Sequence, residues 1–230
     1  VFLYTPRGRN HGYTLLKNAQ KSAKWFSQVL SVSETKAVKS EAIDEEREAG
    51  MPEELIQQEF YCSFDAALVG AYYGTAMEVA LKANRIGAFP YDSQLVVHTA
   101  WDLGVGDQTV IIFYQVSMGQ IRIIDCYSNS GEGLAFYVNK LRSEHRSLYS
   151  YGNHYAPHDI QARDLSTGRT RLETAGKLGL RFRVVPKVSI EDGIEAVRSI
   201  MSRIYWNEDK NTEHLIEAAR QYHKELDAKK

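Results

Sequence analysis

The feature that most constrains the fold lies at 95–127, where three apolar runs follow one another: Leu95 to Asp102, Thr109 to Val116 and Gln120 to Tyr127. Short Gly-containing connections join them, Gly104-Val105-Gly106-Asp107 and Ser117-Met118-Gly119, so the runs are predicted to pair as an antiparallel three-stranded meander. The pattern then changes. Helical spacing over Gly133 to His145 leads to a predicted strand at Tyr155 to Ile160 and a helix around Arg171 to Leu178. A strand at Phe182 to Val185 and helices at Ile190 to Tyr205 and Thr212 to Ala228 complete it. The order β-β-β-α-β-α-β-α implies an α/β fold with a mixed central sheet flanked by helices.

RNase H-like folds have this element order. Ahead of it the chain reads differently. Val1 to Tyr4 resembles a short buried strand, and Thr5-Pro6-Arg7-Gly8-Arg9-Asn10-His11 is a loop by its Pro and Gly. Helices are predicted over Tyr13 to Leu30, Ser40 to Glu48, Pro52 to Phe60 and Thr75 to Asn84. Helical periodicity stops in Ile86-Gly87-Ala88-Phe89-Pro90-Tyr91-Asp92, which puts a domain boundary near residue 92: a mostly helical 1–92 and a sheet-forming 93–230. The start, Val1-Phe2-Leu3-Tyr4, has no initiator Met or basic lead-in and reads as a strand cut into, so the chain is expected to be a piece of a longer protein.

Bulk properties exclude more than they select. With 43% hydrophobic and 25% charged residues the chain is an ordinary globular one. No apolar run approaches the roughly 20 residues that cross a bilayer, so no membrane partner is expected. Cys62 and Cys126 lack ligand spacing, which argues against a disulfide framework and structural zinc and suits a reducing, intracellular compartment. The 28 basic and 29 acidic residues leave a net charge of −1, so any nucleic-acid role must come from local sites. Neither a P-loop nor a GxSxG elbow is present, so this chain is not expected to hydrolyse ATP unaided.

The sharpest chemical feature is Asp102, an acid ending an apolar strand. An ionised carboxylate costs several kcal/mol to bury alone, so such a position calls for a partner, and a divalent cation is the natural one. Asp159 is predicted to end a second apolar strand, beside the first in an RNase H-like sheet. Two convergent carboxylates suit Mg²⁺ or Mn²⁺, and a pair of ions about 4 Å apart can clamp the attacking and leaving oxygens of a phosphodiester. Asp107 reads either as an auxiliary acid or as a turn residue. Asp125, within Ile123-Ile124-Asp125-Cys126-Tyr127, either reaches the same site or makes structural hydrogen bonds. Arg163, Arg169 and Arg171, in the loop past Asp159, are candidates for phosphate contacts, and His158 is more readily a surface residue than a catalytic one.

Thr5-Pro6-Arg7-Gly8-Arg9-Asn10-His11 and Trp101-Asp102-Leu103-Gly104-Val105-Gly106-Asp107-Gln108-Thr109 together resemble phage terminase large subunits, as do Glu54 to Gly74, Ser130-Gly131-Glu132-Gly133 and Pro157-His158-Asp159. The resemblance implies a DNA-packaging motor: the end of an ATPase domain with its helical linker, then a nuclease that cuts concatemeric double-stranded DNA. It makes Thr5, Pro6, Arg7, Gly8, Arg9 and Asn10 the motif coupling ATP hydrolysis to movement. Asp102 and Asp159 become the catalytic, metal-binding aspartates, with Asp107 near the metals. It also implies ATP as cofactor of the full-length motor, the portal protein and small terminase subunit as partners, and the host cytoplasm as location. The family's third catalytic aspartate normally sits in a stretch like His-Gly-Ala-Asp-Ala. The context of Asp227 does not match, so the third acid is expected beyond Lys230 and the fragment is expected to be catalytically incomplete. The rival readings are another RNase H-like nuclease or recombinase, and a non-catalytic DNA-binding scaffold.

Overall fold

The structure, a computed structural model, describes residues 1–6, 11–64, 70–104, 108–163 and 168–223. Arg7, Gly8, Arg9, Asn10, Asp107 and Asp227 lie outside them. Two compact units form, one from residues 1–82 with 216–230 and the other from 83–215. Residues 83–92 belong with the second unit. The buried Gln115 side chain donates to the carbonyls of Asp92 (2.7 Å) and Leu95 (2.8 Å) and accepts from Asp92 N–H (2.9 Å), tying that linker to the sheet.

The first unit holds helices α1 (His11–Gln20), α2 (Val32–Thr35), α3 (Ser40–Glu48), α4 (Glu53–Glu59) and α5 (Gly74–Lys82). The helix predicted to run to Leu30 stops ten residues earlier. Ser22 there accepts from Trp25 N–H through its carbonyl (3.2 Å) and from Lys24 N–H through its hydroxyl (3.3 Å), local bonds that compete with helix continuation.

The second unit is one seven-stranded sheet: β1 (Ile86–Gly87), β2 (Val97–Asp102), β3 (Thr109–Ser117), β4 (Gln120–Asn129), β5 (Tyr151–Ala156), β6 (Phe182–Val184) and β7 (Ile204–Asn207). Their spatial order is β1-β7-β4-β3-β2-β5-β6. The meander β2-β3-β4 is antiparallel as predicted, and β5 and β6 add in parallel beside β2, which is the RNase H-like arrangement. On the other side β7 pairs in parallel with β4, and β1 with β7.

Residues alternate between faces along β2 and β3. Val97, Trp101, Ile111 and Phe113 pack with Tyr137, Val138 and Leu141 from α6 (Leu134–Lys140) and its end, and with Ile160 and Leu180. Leu172, on α7 (Arg171–Lys177), covers the same side. The start of α7 is fixed by a capping box, Thr170 Oγ1 accepting from Glu173 N–H and Glu173 accepting from Thr170 N–H.

Val1 to Tyr4 is exposed and forms no strand, and further elements also differ from the sequence reading. The fourth strand ends at Ala156, because Pro157 has no N–H to continue a ladder, and His158–Gln161 forms a 3-10 turn. Asp159 therefore stands in that turn, just past the strand end. The helix predicted over Ile190 to Tyr205 is α8 (Ile190–Ile200), followed by the 3-10 turn Met201–Arg203 and then β7. The terminal helix, α9, covers Glu213–Gln221.

Candidate functional site

β2 and β5 run side by side in the same direction, with Ala100 opposite Tyr155, so their C-terminal ends open at one edge of the sheet. Asp102 is the last residue of β2, two beyond Ala100. Pro157 lies two beyond Tyr155 and leads directly into the turn carrying Asp159. The fold thus brings both acids to one sheet edge. Both are exposed, and among the described residues neither carboxylate has an ion-pair or hydrogen-bond partner. They keep free the oxygen lone pairs that a hard cation uses.

A buried chain of side chains holds β2 and β5, the strands that lead to the two acids, in register. Trp101 Nε1–H donates to Thr99 Oγ1 (2.7 Å), and Thr99 Oγ1 lies 2.7 Å from His154 Nδ1 on β5. Burial favours the neutral ring of His154, and the Thr99 hydroxyl proton is assigned to its Nδ1, which leaves the ring proton on Nε2. Burial, aided by neighbouring His98, pushes its pKa down to about 4. The Trp101 ring meets Phe182 edge-on at 5.1 Å, extending the contact to β6.

Asp125 behaves otherwise, and the expectation that it could share the site is corrected. On β4 it pairs with Phe113, on the core face, whereas Asp102 pairs with Val110, which pairs with Ser128, on the opposite face. Ile124 is the extra residue of a bulge at this point, and both Ile124 and Asp125 are buried. Asp125 accepts from Arg146 Nη2 (3.0 Å) and from the backbone N–H of Cys126 (2.9 Å), and it meets His145 Nε2 at 2.9 Å. Arg146 Nε is 2.8 Å from Asp125 Oδ2, close but poorly aligned for a hydrogen bond. The guanidinium lies 5.2 Å from the ring centres of both Phe113 and Tyr127. Its chemistry is that of a buried ion pair.

The remaining candidates scatter. Arg163 is exposed, forms an isolated bridge with Thr170 and donates to the Gly168 carbonyl (3.5 Å). Arg169 is exposed, and Arg171 begins α7. His158 is exposed in the turn beside Asp159. Thr5 is exposed and Pro6 buried, both in the first unit. Sequence reasoning missed His214. Its Nε2 sits 3.5 Å from Ser128 Oγ and 3.5 Å from Cys126 Sγ, which puts this imidazole of α9 on the sheet face that carries Asp102. No local pattern marks it, because the contact spans 86 residues of sequence. Among the described residues, no group of three or more His, Cys, Asp and Glu side chains is close enough to hold a metal ion.

The class defined by this geometry is an RNase H-like α/β domain with two free acids where β2 and β5 end, at one open edge of the sheet. Solved structures of similar fold are phage proteins. The large terminase nuclease from the thermophilic phage G20c is 14% identical with a TM-score of 0.48, covering 69% of this chain and 84% of that one. The P22 large terminase nuclease domain is 18% identical with a TM-score of 0.45, covering 62% and 76%. A large terminase from another thermophilic bacteriophage is 12% identical with a TM-score of 0.46, covering 98% of this chain, which spans 57% of that chain's length. No protein-family signature and no curated protein matches the sequence. At this level of likeness none of these structures decides what the chain does, and function rests on the site itself.

Proposed function

We propose that this chain is the nuclease part of a phage large terminase, cutting double-stranded DNA in a reaction that depends on divalent metal. The observation that carries the reading is the pair of exposed, unpartnered carboxylates, Asp102 and Asp159, at the adjoining ends of parallel strands in an RNase H-like sheet. The residues present fit a hard cation: both donors are carboxylate oxygens, and both face solvent where Mg²⁺ or Mn²⁺ can retain its waters. Asp102 and Asp159 would hold the metal. When bound, such an ion polarises a phosphodiester and makes water a stronger nucleophile.

The protein's own contribution is placement. The Trp101, Thr99 and His154 chain fixes β2 against β5, so the spacing of the two acids is set before substrate arrives. Arg163, Arg169 and Arg171 follow Asp159 closely in sequence and are proposed to contact backbone phosphates near the cut. Asp107 is proposed as an auxiliary acid beside Asp102. The likeness of Thr5 to His11 to a coupling motif extends the proposal to a longer polypeptide with an ATPase motor. ATP, a portal protein and a small terminase subunit would serve that motor in the host cytoplasm. Among the described residues no helix is long and apolar enough to cross a membrane.

A plasmid-nicking assay with Mn²⁺, run on a longer protein containing this chain and on its Asp102→Asn and Asp159→Asn variants, tests the reading. Metal-dependent nicking lost in both variants is the expected result. Nicking that survives in both, or none at any metal concentration in a longer protein containing this chain, would overturn it in favour of a different site or a DNA-binding scaffold.

A further inference from the structure

The sheet face that carries Asp102 also carries a cation with no assigned role. Arg183, the central residue of β6, pairs with Tyr155 of β5, which pairs with Ala100 of β2. Paired residues point to the same face, and Ala100 and Asp102, two apart on one strand, share a face as well. Arg183 is exposed, and among the described residues no carboxylate engages it. Two strand spacings and two residues separate it from Asp102, about 12 Å between Cα atoms at the usual sheet dimensions. An extended arginine and a phosphate held beside Asp102 would span that gap.

Its surroundings are prepared for an anion. His98, on the same face of β2, accepts the Asn153 N–H at Nδ1 (3.0 Å), so its Nε2 carries the proton of the neutral ring. Burial and then the charge of Arg183 hold its pKa below the ordinary histidine value. An imidazole that stays neutral leaves Arg183 as the cation here, with a histidine N–H and the Tyr155 hydroxyl as neutral donors on the same face.

We propose that Arg183 is a positioning residue of the nuclease, holding a backbone phosphate of the DNA strand a short distance from the one at Asp102 and Asp159. This rests on the nuclease reading above, and it adds a contact across the sheet face, distinct from the basic loop at 163–171. Arginine suits the task because its planar fork can donate two parallel bonds to one phosphate.

The test is fluorescence anisotropy of this chain with a labelled DNA duplex, in Ca²⁺ without cleavage, over a range of salt concentrations. Arg183→Gln should weaken binding about tenfold and lower the slope of log K against log salt by about one, as loss of one phosphate contact does. Arg183→Lys should restore the slope while recovering only part of the affinity. In nicking assays with Mn²⁺ on a longer protein containing this chain, Arg183→Gln should raise KM with little change in kcat. An unchanged thermal midpoint shows that the exposed substitution has not disturbed folding. Wild-type affinity and slope in Arg183→Gln would overturn the proposal, as would absence of DNA binding by the parent chain. Lost binding in Arg183→Gln together with cleavage that persists in Asp102→Asn would leave the phosphate contact standing and overturn the nuclease site instead.

Discussion

The carboxylate of Asp125 and the guanidinium of Arg146 form an ion pair inside the core, their side chains only 1% and 3% exposed. Removing one member leaves the other charged and buried, which costs about 3–5 kcal/mol, whereas removing both costs far less than the sum. Asp125→Ala and Arg146→Ala are each expected to lower the urea midpoint strongly. An Asp125→Leu/Arg146→Met double variant should recover much of that loss. A single substitution costing less than about 1 kcal/mol would mean that the pair is hydrated and worth no more than a surface bridge.

His154 makes stability depend on pH in a stated direction. Its folded pKa of about 4 lies below the ordinary histidine value of 6.5, so between these values the unfolded chain binds the extra proton. The contribution is fully present above about pH 6.5 and is lost as pH falls toward 4. Carboxylates begin to titrate in the lower part of this window, so the useful quantity is a difference between variants. Urea midpoints for the parent and for His154→Gln should converge as pH falls from 7 to 4.5. Parallel curves would show that His154 protonates freely in the fold.

How far the sequence revealed this depends on the range over which each contact acts. β2, β3 and β4 were legible because alternating apolar residues and short turns specify a meander locally. β7 was not: Ile204-Tyr205-Trp206 is a three-residue apolar run at the end of a helical pattern, and only pairing with β4 and β1 makes it, with Asn207, a strand. β5 begins four residues before the predicted start, at Tyr151, and its Gly152 is there to admit a neighbouring ring. Asp102 stood out as an acid ending an apolar strand. Asp125 looked similar, and what separates them is a partner, Arg146, 21 residues away and invisible to any local pattern. Arg183 is one arginine among many until the register with Tyr155 assigns it a face.

A side chain at Gly152 has nowhere to go. A Cβ there would sit 2.7 Å from His98 Cε1 and 2.8 Å from Nδ1, and the ring is pinned by the hydrogen bond from Asn153 N–H. Gly152→Ala should cost about 1–3 kcal/mol, in the range of overpacking substitutions. Removing the ring should relieve it. In a double-mutant cycle, Gly152→Ala in a His98→Ala background is expected to be milder by about 1 kcal/mol or more. Additive effects in the urea midpoints would show that the strain comes from the backbone or from Val96, whose Cγ2 lies 3.2 Å from the same point.

The three aspartates should respond differently to metal, and that difference tests the assignment of Asp125. Asp102 and Asp159 offer unpartnered oxygens at an open edge, whereas those of Asp125 are taken by Arg146, His145 and the Cys126 N–H. A ligand that binds only the folded state stabilises it by RT ln(1 + [L]/Kd), so Mn²⁺ at about ten times a millimolar Kd adds about 1.4 kcal/mol. For a chain of this size that is a rise of roughly 3–6 °C in Tm. Asp102→Asn and Asp159→Asn are each expected to lose most of this rise while keeping a Tm near that of the parent without metal, since neither carboxylate supports the fold. Asp125→Asn should do the reverse, starting from a lower Tm and keeping the full Mn²⁺-dependent rise. Differential scanning calorimetry with and without Mn²⁺ separates the two patterns. An Asp125→Asn protein that folds but no longer responds to Mn²⁺ would return Asp125 to the metal site and require the sheet to rearrange around it.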